Sequence, residues 1–119
     1  RFGNFEAEDF QLYYEGPGDY KMVGILWGLS TERCRGTINS VIDNDWHHYF
    51  FTYDGSFMAM YIDGVINQTC TSSGTVNNNN LNMRIGEDWY GNYGDGDIDE
   101  VRIYNRALSA SEVQALYQQ

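Results

Sequence analysis

The densest group of potential ligands in the sequence is a run of carboxylates near its C-terminal end. Asp95, Asp97, Asp99 and Glu100 lie within six residues, and a hard cation such as Ca²⁺ prefers oxygen ligands of this kind. An EF-hand is excluded, because Glu100 occupies the position of its required glycine and Arg106 that of its bidentate glutamate. Two interpretations stay open. Either Asp95, Asp97 and Asp99 help to bind calcium, or Asp99 is a buried hydrogen-bond acceptor in a strand and its neighbours are solvated.

A second group combines aromatic rings with polar side chains in a loop rich in glycine and aspartate. Trp89, Tyr90 and Tyr93 stand beside Asp88 and Asn92. Sugar sites commonly stack a ring face on an aromatic side chain and bond the hydroxyls with carboxylates and amides. The loop therefore predicts a carbohydrate-binding platform, and the alternative is that Trp89 folds over the rim as a core plug. Further stacking candidates, on an open sheet face, are Tyr13, Tyr14 and Trp27.

The histidines and arginines favour structural roles. His47 and His48 are adjacent, no serine or cysteine nucleophile motif lies nearby, and strand alternation sends them to opposite faces. Arg102 alternates with Glu100 on one predicted strand face, where a structural ion pair is the favoured interpretation over a ligand contact.

Charge and composition exclude several classes of partner. The chain has 119 residues, a formal net charge of -10 from 17 acidic and 7 basic residues, and 16% aromatic residues. Nucleic acids and anionic membrane surfaces need clustered lysine and arginine, which this sequence lacks. The aromatic content argues against disorder. The length is that of a single domain, residues 1–119.

Cys34 and Cys70 are the only cysteines. If they pair, the cross-link stabilises the fold by roughly 3–4 kcal/mol through the entropy of the closed loop. If they stay free, they are buried apolar residues of a reduced protein. The sequence leaves both states open.

Short alternating or apolar runs separated by Gly, Asn and Asp predict strands. The run Met22 to Trp27 is nearly continuous, which indicates a strand covered on both faces. The predicted strands are Phe10–Tyr14, Met22–Trp27, Gly36–Ile42, His47–Tyr53, Phe57–Ile62, Val65–Thr69, Leu81–Ile85 and Ile98–Tyr104.

Turn and cap residues complete the prediction of an all-β sandwich with a short C-terminal helix. Asp54-Gly55 and Asp63-Gly64 each separate two apolar runs, and Asp-Gly is typical of two-residue hairpin turns. Ser109 with Glu112 forms a capping box, and Leu108 with Val113 a hydrophobic staple. A helix this short must dock on a sheet to be stable.

Several motifs, in their order and spacing, resemble laminin-G-like domains of the concanavalin A-like lectin/glucanase class. The motifs are Asp45-Trp46-His47-His48, Thr52-Tyr53-Asp54-Gly55, Tyr61-Ile62-Asp63-Gly64, Ile85-Gly86 and the stretch from Gly96 to Glu112. The resemblance is firm over residues 45–117 and weaker over 1–44, where the opening strands of the family are absent or compressed.

The resemblance implies a jelly-roll sandwich of two antiparallel sheets, with Trp46 in its core. Shortened opening strands would expose edges through which the chain could form homo-oligomers. Glucanases of this class use two glutamates spaced E-x-D-x-x-E, and the corresponding stretch here has Asp97 at the first position and Arg102 at the second. An arginine cannot protonate a leaving group, so an enzyme of this type is not expected.

The expected function is that of a non-catalytic, lectin-like module of a secreted or surface protein, with calcium assistance where the carboxylates bind Ca²⁺. The expected partner is a glycan or glycoprotein, and neither nucleic acid nor membrane. The alternative is a structural or adhesion module that contacts proteins without binding sugar.

Overall fold

Two antiparallel three-stranded sheets and one C-terminal helix make up the architecture. The computed structural model describes residues 9–15, 20–37, 43–78, 80, 82–86 and 95–119. The predicted all-β sandwich with a short C-terminal helix is confirmed. No helix among these residues has both the length and the apolar character needed to cross a lipid bilayer.

The first sheet has the strand order β1-β2-β3, with β1 at Phe10–Glu15, β2 at Lys21–Leu26 and β3 at Arg33–Arg35. The central strand β2 is buried from its second residue to its last, so the prediction of a strand covered on both faces is confirmed. Glu15 bonds to Arg33 and Arg35 across the sheet. Burial raises the pKa of the Glu15 carboxyl, but the hydrogen bonds and charges of the two arginines lower it overall.

The second sheet has the order β4-β5-β6, with β4 at Tyr49–Tyr53, β5 at Phe57–Ile62 and β6 at Val65–Thr71. The β5–β6 turn is the predicted Asp63-Gly64, and both residues have positive φ, 52° and 78°. The β4–β5 turn lies one residue later than the predicted Asp54-Gly55, because Asp54 pairs with Phe57 and the turn is formed by Gly55 and Ser56. Asp54 precedes it and accepts hydrogen bonds from the backbone N–H groups of Ser56 and Phe57, at 2.8 Å each.

The sheets face each other through an apolar core of two adjoining clusters, and one of its contacts requires glycine. The ring of Phe51 lies so close to Gly24 that a Cβ there would be 2.5 Å from the ring carbons. Phe51 packs against both clusters, and a larger residue at position 24 would displace its ring. The clusters are formed by Met22, Met60 and Ile62, and by Leu26, Leu29, Cys34 and Met58.

A covalent link closes one side of the sandwich. Cys34 in β3 and Cys70 in β6 form a disulfide, with Cα atoms 5.8 Å apart. Beside it, Asn67 lies at the irregularity of the β5–β6 register. Its side-chain oxygen accepts from the Thr37 N–H at 2.9 Å, and its amide donates to the Thr37 hydroxyl at 3.3 Å. The β3 and β6 edges are therefore held together, whereas β1 and β4 are the outer strands on the other side.

The helix α1 spans Ala110–Tyr117 and begins at the predicted capping box. Ser109 accepts from the Glu112 N–H at 3.2 Å, while the Glu112 carboxylate accepts from the Ser109 N–H at 2.8 Å. Leu108 and Val113 are buried with Tyr61 of β5. The helix thus docks on the outer face of the second sheet, as its short length requires.

Two predicted strands are not formed by the described residues, and a third lies mostly outside them. The extended run at Ile98–Tyr104 is interrupted by Glu100, whose φ of 53° is incompatible with a strand. Residues 82–86 form no strand. The predicted strand Gly36–Ile42 stays a prediction, because residues 38–42 lie outside the described residues; Gly36 and Thr37 directly follow β3. Alternation predicts a strand only where a neighbouring strand also supplies hydrogen bonds.

Two predicted placements of aromatic residues are wrong. Trp46, expected in the core, is 69% exposed, and it lies before the start of β4 rather than within a strand of either sheet. Tyr13, Tyr14 and Trp27 do not share an open sheet face. Tyr13 is buried with Val23 and packs against Trp27, whereas Tyr14 points to the opposite face and meets Tyr20 edge-on.

Candidate functional site

A cleft of about 330 Å³ opens beside β4, where the sandwich has no neighbouring strand among the described residues. Its described lining combines apolar and aromatic side chains with an amide, a guanidinium and three hydroxyl groups, and none of these described residues carries a carboxylate. The lining residues are Leu26, Phe51, Thr52, Tyr53, Val76, Tyr104, Asn105 and Arg106.

The floor of the cleft is held in place by the core. The Phe51 ring fits over Gly24, and Leu26 and Val76 pack in the same cluster as Phe51. The Tyr53 hydroxyl donates to the carbonyl oxygen of Gly74 at 2.8 Å. These contacts fix both rings, so the apolar surface of the cleft is formed before any ligand arrives.

One wall of the cleft is the outer edge of β4. The Asp63 N–H donates to the His48 carbonyl at 2.8 Å, which makes this a hydrogen-bonded pair at the end of the β4–β5 ladder. Because such pairs alternate along antiparallel strands, the N–H and C=O groups of Phe51 and Tyr53 point away from β5. Among the described residues, no backbone group bonds to them.

The other wall is the segment that leads into α1. The Tyr104 ring lies 5.9 Å from that of Phe50. Arg106 donates to both carboxylate oxygens of Glu112, at 3.0 and 2.9 Å. The hydrogen bond from Arg106, followed by that from Ser109, lowers the pKa of Glu112 to about 2. The charge of Arg106 is thus compensated within the protein.

His47 forms a clamp with two aspartates at the opposite end of β4. Its Nδ1 lies 2.8 Å from Asp63 and its Nε2 lies 2.8 Å from Asp43, while Asp63 also accepts from the His48 N–H at 2.9 Å. Hydrogen bonds to Asp63 and then Asp43 raise the pKa of His47. Burial, with the two carboxylates adding to it, raises the pKa of Tyr49 to about 12. The His-His and Asp-Gly motifs therefore fasten the β5–β6 turn to β4.

The clamp predicts a pH dependence of stability. The folded-state pKa of His47 is raised. The stability that His47 contributes is therefore fully present below its unfolded-state pKa of about 6.5, and it is lost as the pH rises through the folded-state pKa. The pKa of Asp43 is lowered, chiefly by its bond to His47, so its contribution is lost as acid brings the pH through that lowered value. We expect the urea midpoint to fall as the pH rises from about 6.5 through the raised folded-state pKa of His47, and His47→Gln to remove most of this dependence. An unchanged profile in His47→Gln would contradict the clamp.

The structure brings few of the sequence-predicted site residues together. Trp89, Tyr90, Tyr93, Asn92 and Asp88 lie outside the described residues, so their platform stays a prediction.

The carboxylates are described and exposed. Asp95, Asp97 and Asp99 all face solvent, and Asp99 accepts from the Glu100 N–H at 2.7 Å rather than lying buried as the second interpretation supposed. In the ranges that the structure describes, no three such side chains are grouped to hold a metal ion. Arg102 forms the predicted ion pair with Glu100, at 2.7 Å.

The sequence reasoning missed Phe51, Tyr53, Tyr104 and Asn105 as members of one site. Alternation along β4 does place Phe51 and Tyr53 on one face, which is a usable signal. Nothing in the sequence shows that Tyr104 and Asn105 line the same cleft, because this depends on where the chain returns after the second sheet.

The match to a protein family agrees with the sandwich. Residues 2–114 match the third laminin G family model, which is described as the concanavalin A-like lectin/glucanases superfamily. The chain is similar to a crystal structure of residues 221–444 of an S-layer domain-containing protein from Clostridium thermocellum. The two are 21% identical with a TM-score of 0.49, and the match covers 98% of this chain and 67% of that one. A search of curated proteins finds no match. The family match spans nearly the whole chain, which therefore belongs to the laminin-G-like domains of the concanavalin A-like lectin/glucanase superfamily.

Proposed function

We propose that the chain is a non-catalytic carbohydrate-binding module. The observation that carries the proposal is membership of a superfamily that includes lectins and glucanases, since both of these must recognise glycans. Against catalysis, Arg102 stands where a glucanase needs its second glutamate, and the cleft beside β4 has no carboxylate among its described lining residues. Hydrolysis of a glycoside needs two such groups.

The proposed location is extracellular or at the cell surface. The Cys34–Cys70 disulfide supports it, because structural disulfides persist mainly in oxidising compartments. The net charge of -10 favours neutral or basic partners over acidic ones.

A glycan array probed with the oxidised protein tests this function. We expect hits, and we expect Trp89→Ala to weaken them at least about fivefold if the predicted platform carries binding, which corresponds to about 1 kcal/mol. Trp46→Ala is the matched control, since Trp46 is 69% exposed and lies outside the cleft. Arrays run with calcium and with a chelator test the proposed assistance by Asp95, Asp97 and Asp99. An array silent under both conditions would overturn carbohydrate binding.

A structural or adhesion module is the second candidate, and exposed apolar side chains favour it. Ile98, Val101 and Ile103 are 58%, 51% and 64% exposed, and β4 is an outer strand. Unpaired edges and apolar residues of this kind promote association. A silent array together with concentration-dependent dimers in sedimentation would support this function instead.

A further inference from the structure

We infer that the cleft beside β4 is itself a saccharide site, which takes a short neutral sugar chain along the outer edge of β4. The inference rests on the proposed function. It places carbohydrate binding at described residues of the cleft, rather than at the aromatic loop of Trp89, Tyr90 and Tyr93. A volume of about 330 Å³ is near the lower end for ligand sites, which suits a few sugar rings better than a larger ligand.

The edge of β4 supplies groups that match sugar hydroxyls. A hydroxyl donates one hydrogen bond and accepts others, so it needs donors and acceptors side by side. The outward N–H and C=O groups of Phe51 and Tyr53 provide both, and the Asn105 side chain adds an amide with both functions. An ion or a purely apolar ligand would leave part of this set unpaired, which costs free energy.

The rings supply the apolar contact that the C–H face of a sugar requires. Tyr53 is held by its bond to Gly74, at 2.8 Å, and Tyr104 by its contact with Phe50, at 5.9 Å between ring centroids. Rings fixed in this way lose little conformational entropy when a ligand stacks on them. Tyr53 packs on the side of the core between the sheets and Tyr104 on the side of Phe50, so the two tyrosines give preformed apolar surfaces on either side of the β4 edge.

The charges select neutral sugars over acidic ones. Arg106 is the one cation in the described lining, and Glu112 occupies both of its terminal nitrogens. A uronic acid would have to break this pair and approach a chain with a net charge of -10. A neutral saccharide neither breaks the Arg106–Glu112 ion pair nor meets this electrostatic repulsion.

The test is an NMR titration of the oxidised, isotope-labelled protein with cellobiose, lactose, maltose and chitobiose. We expect at least one of them to shift the backbone amides of Phe51 and Tyr53 and the Asn105 side-chain amide. Asn105→Ala and Tyr104→Ala should each raise the dissociation constant of that sugar at least about fivefold. A glucuronic-acid disaccharide serves as the acidic probe and should leave these signals unchanged.

The controls separate this site from the proposed function. Circular dichroism and urea unfolding check that the variants fold, and Asn105→Ala, which removes only an amide, covers the case in which Tyr104→Ala does not. If a sugar binds and only Trp89→Ala weakens it, the cleft is not the site, although carbohydrate binding stands. If no saccharide binds here or on the array, both proposals fail.

Two further outcomes would overturn the assignment of a sugar site to the cleft and leave the proposed carbohydrate binding untouched. Strong protection of the Phe51 and Tyr53 amides from hydrogen exchange in the free protein would show that the edge is already paired. A basic peptide that shifts these amides when no sugar does would show that the edge accepts a strand instead.

Discussion

Replacing both cysteines, Cys34→Ala with Cys70→Ala, is expected to lower the free energy of unfolding by roughly 3–4 kcal/mol. The disulfide closes a loop with a sequence separation of 36 and joins the two sheets directly. Without it, the unfolded chain regains the entropy of that loop, and β3, a strand of only 3 residues, loses its covalent anchor. Urea denaturation followed by tryptophan fluorescence measures the change.

The wild-type protein under reducing conditions is the control for this prediction. It should approach the stability of the double variant, because reduction removes the same cross-link while keeping both sulfur atoms in place. The difference between the two reports the small cavity that alanine leaves at Cys34, which is fully buried. A loss below about 1 kcal/mol in both forms would contradict the prediction. A loss of the expected size is a large part of the 5–15 kcal/mol typical of a folded domain.

Gly24→Ala is expected to destabilise the protein by roughly 1–3 kcal/mol, although alanine is otherwise the mildest of substitutions. The added Cβ would lie 2.5 Å from the Phe51 ring, and that ring packs in both clusters between the sheets. The ring must move, and it forms part of the cleft floor. Thermal unfolding of the variant measures the loss, and saccharide binding should weaken with it.

A double-mutant cycle shows whether the contact with Phe51 is the cause. Phe51→Leu removes the ring, so it should cost less in the Gly24→Ala background than in the wild type, with a coupling of about 0.5–3 kcal/mol. Gly86→Ala is the steric control, since an added Cβ there meets no atom of the described residues within 4 Å and the residue has a φ of 81°. It should show only the backbone cost of about 1 kcal/mol. Additive effects of Gly24→Ala and Phe51→Leu would argue against the clash.

Local patterns in the sequence predicted the features that neighbouring residues decide. The capping box of Ser109 and Glu112 and the Asp63-Gly64 turn are formed as expected, because each depends on bonds within a few residues. The buried strand β2 also follows from its apolar run. The His-His and Asp-Gly motifs are themselves local runs, but the bond between His48 and Asp63 joins positions 15 residues apart at the end of the β4–β5 hairpin.

The tertiary structure decided the features that depend on distant partners. In the sequence, Gly24 is only an interruption of an apolar run. The structure shows why a glycine stands there, because the Phe51 ring of the opposite sheet occupies the space that a side chain would need. Ile98–Tyr104 alternates like a strand, yet Glu100 breaks it and its apolar residues are exposed. The cleft exists because Tyr104 and Asn105 return beside the outer edge of β4. A hydrogen-bonding edge and a second wall come from segments far apart in the chain, so their meeting is a property of the packed sheets and not of any local run of residues.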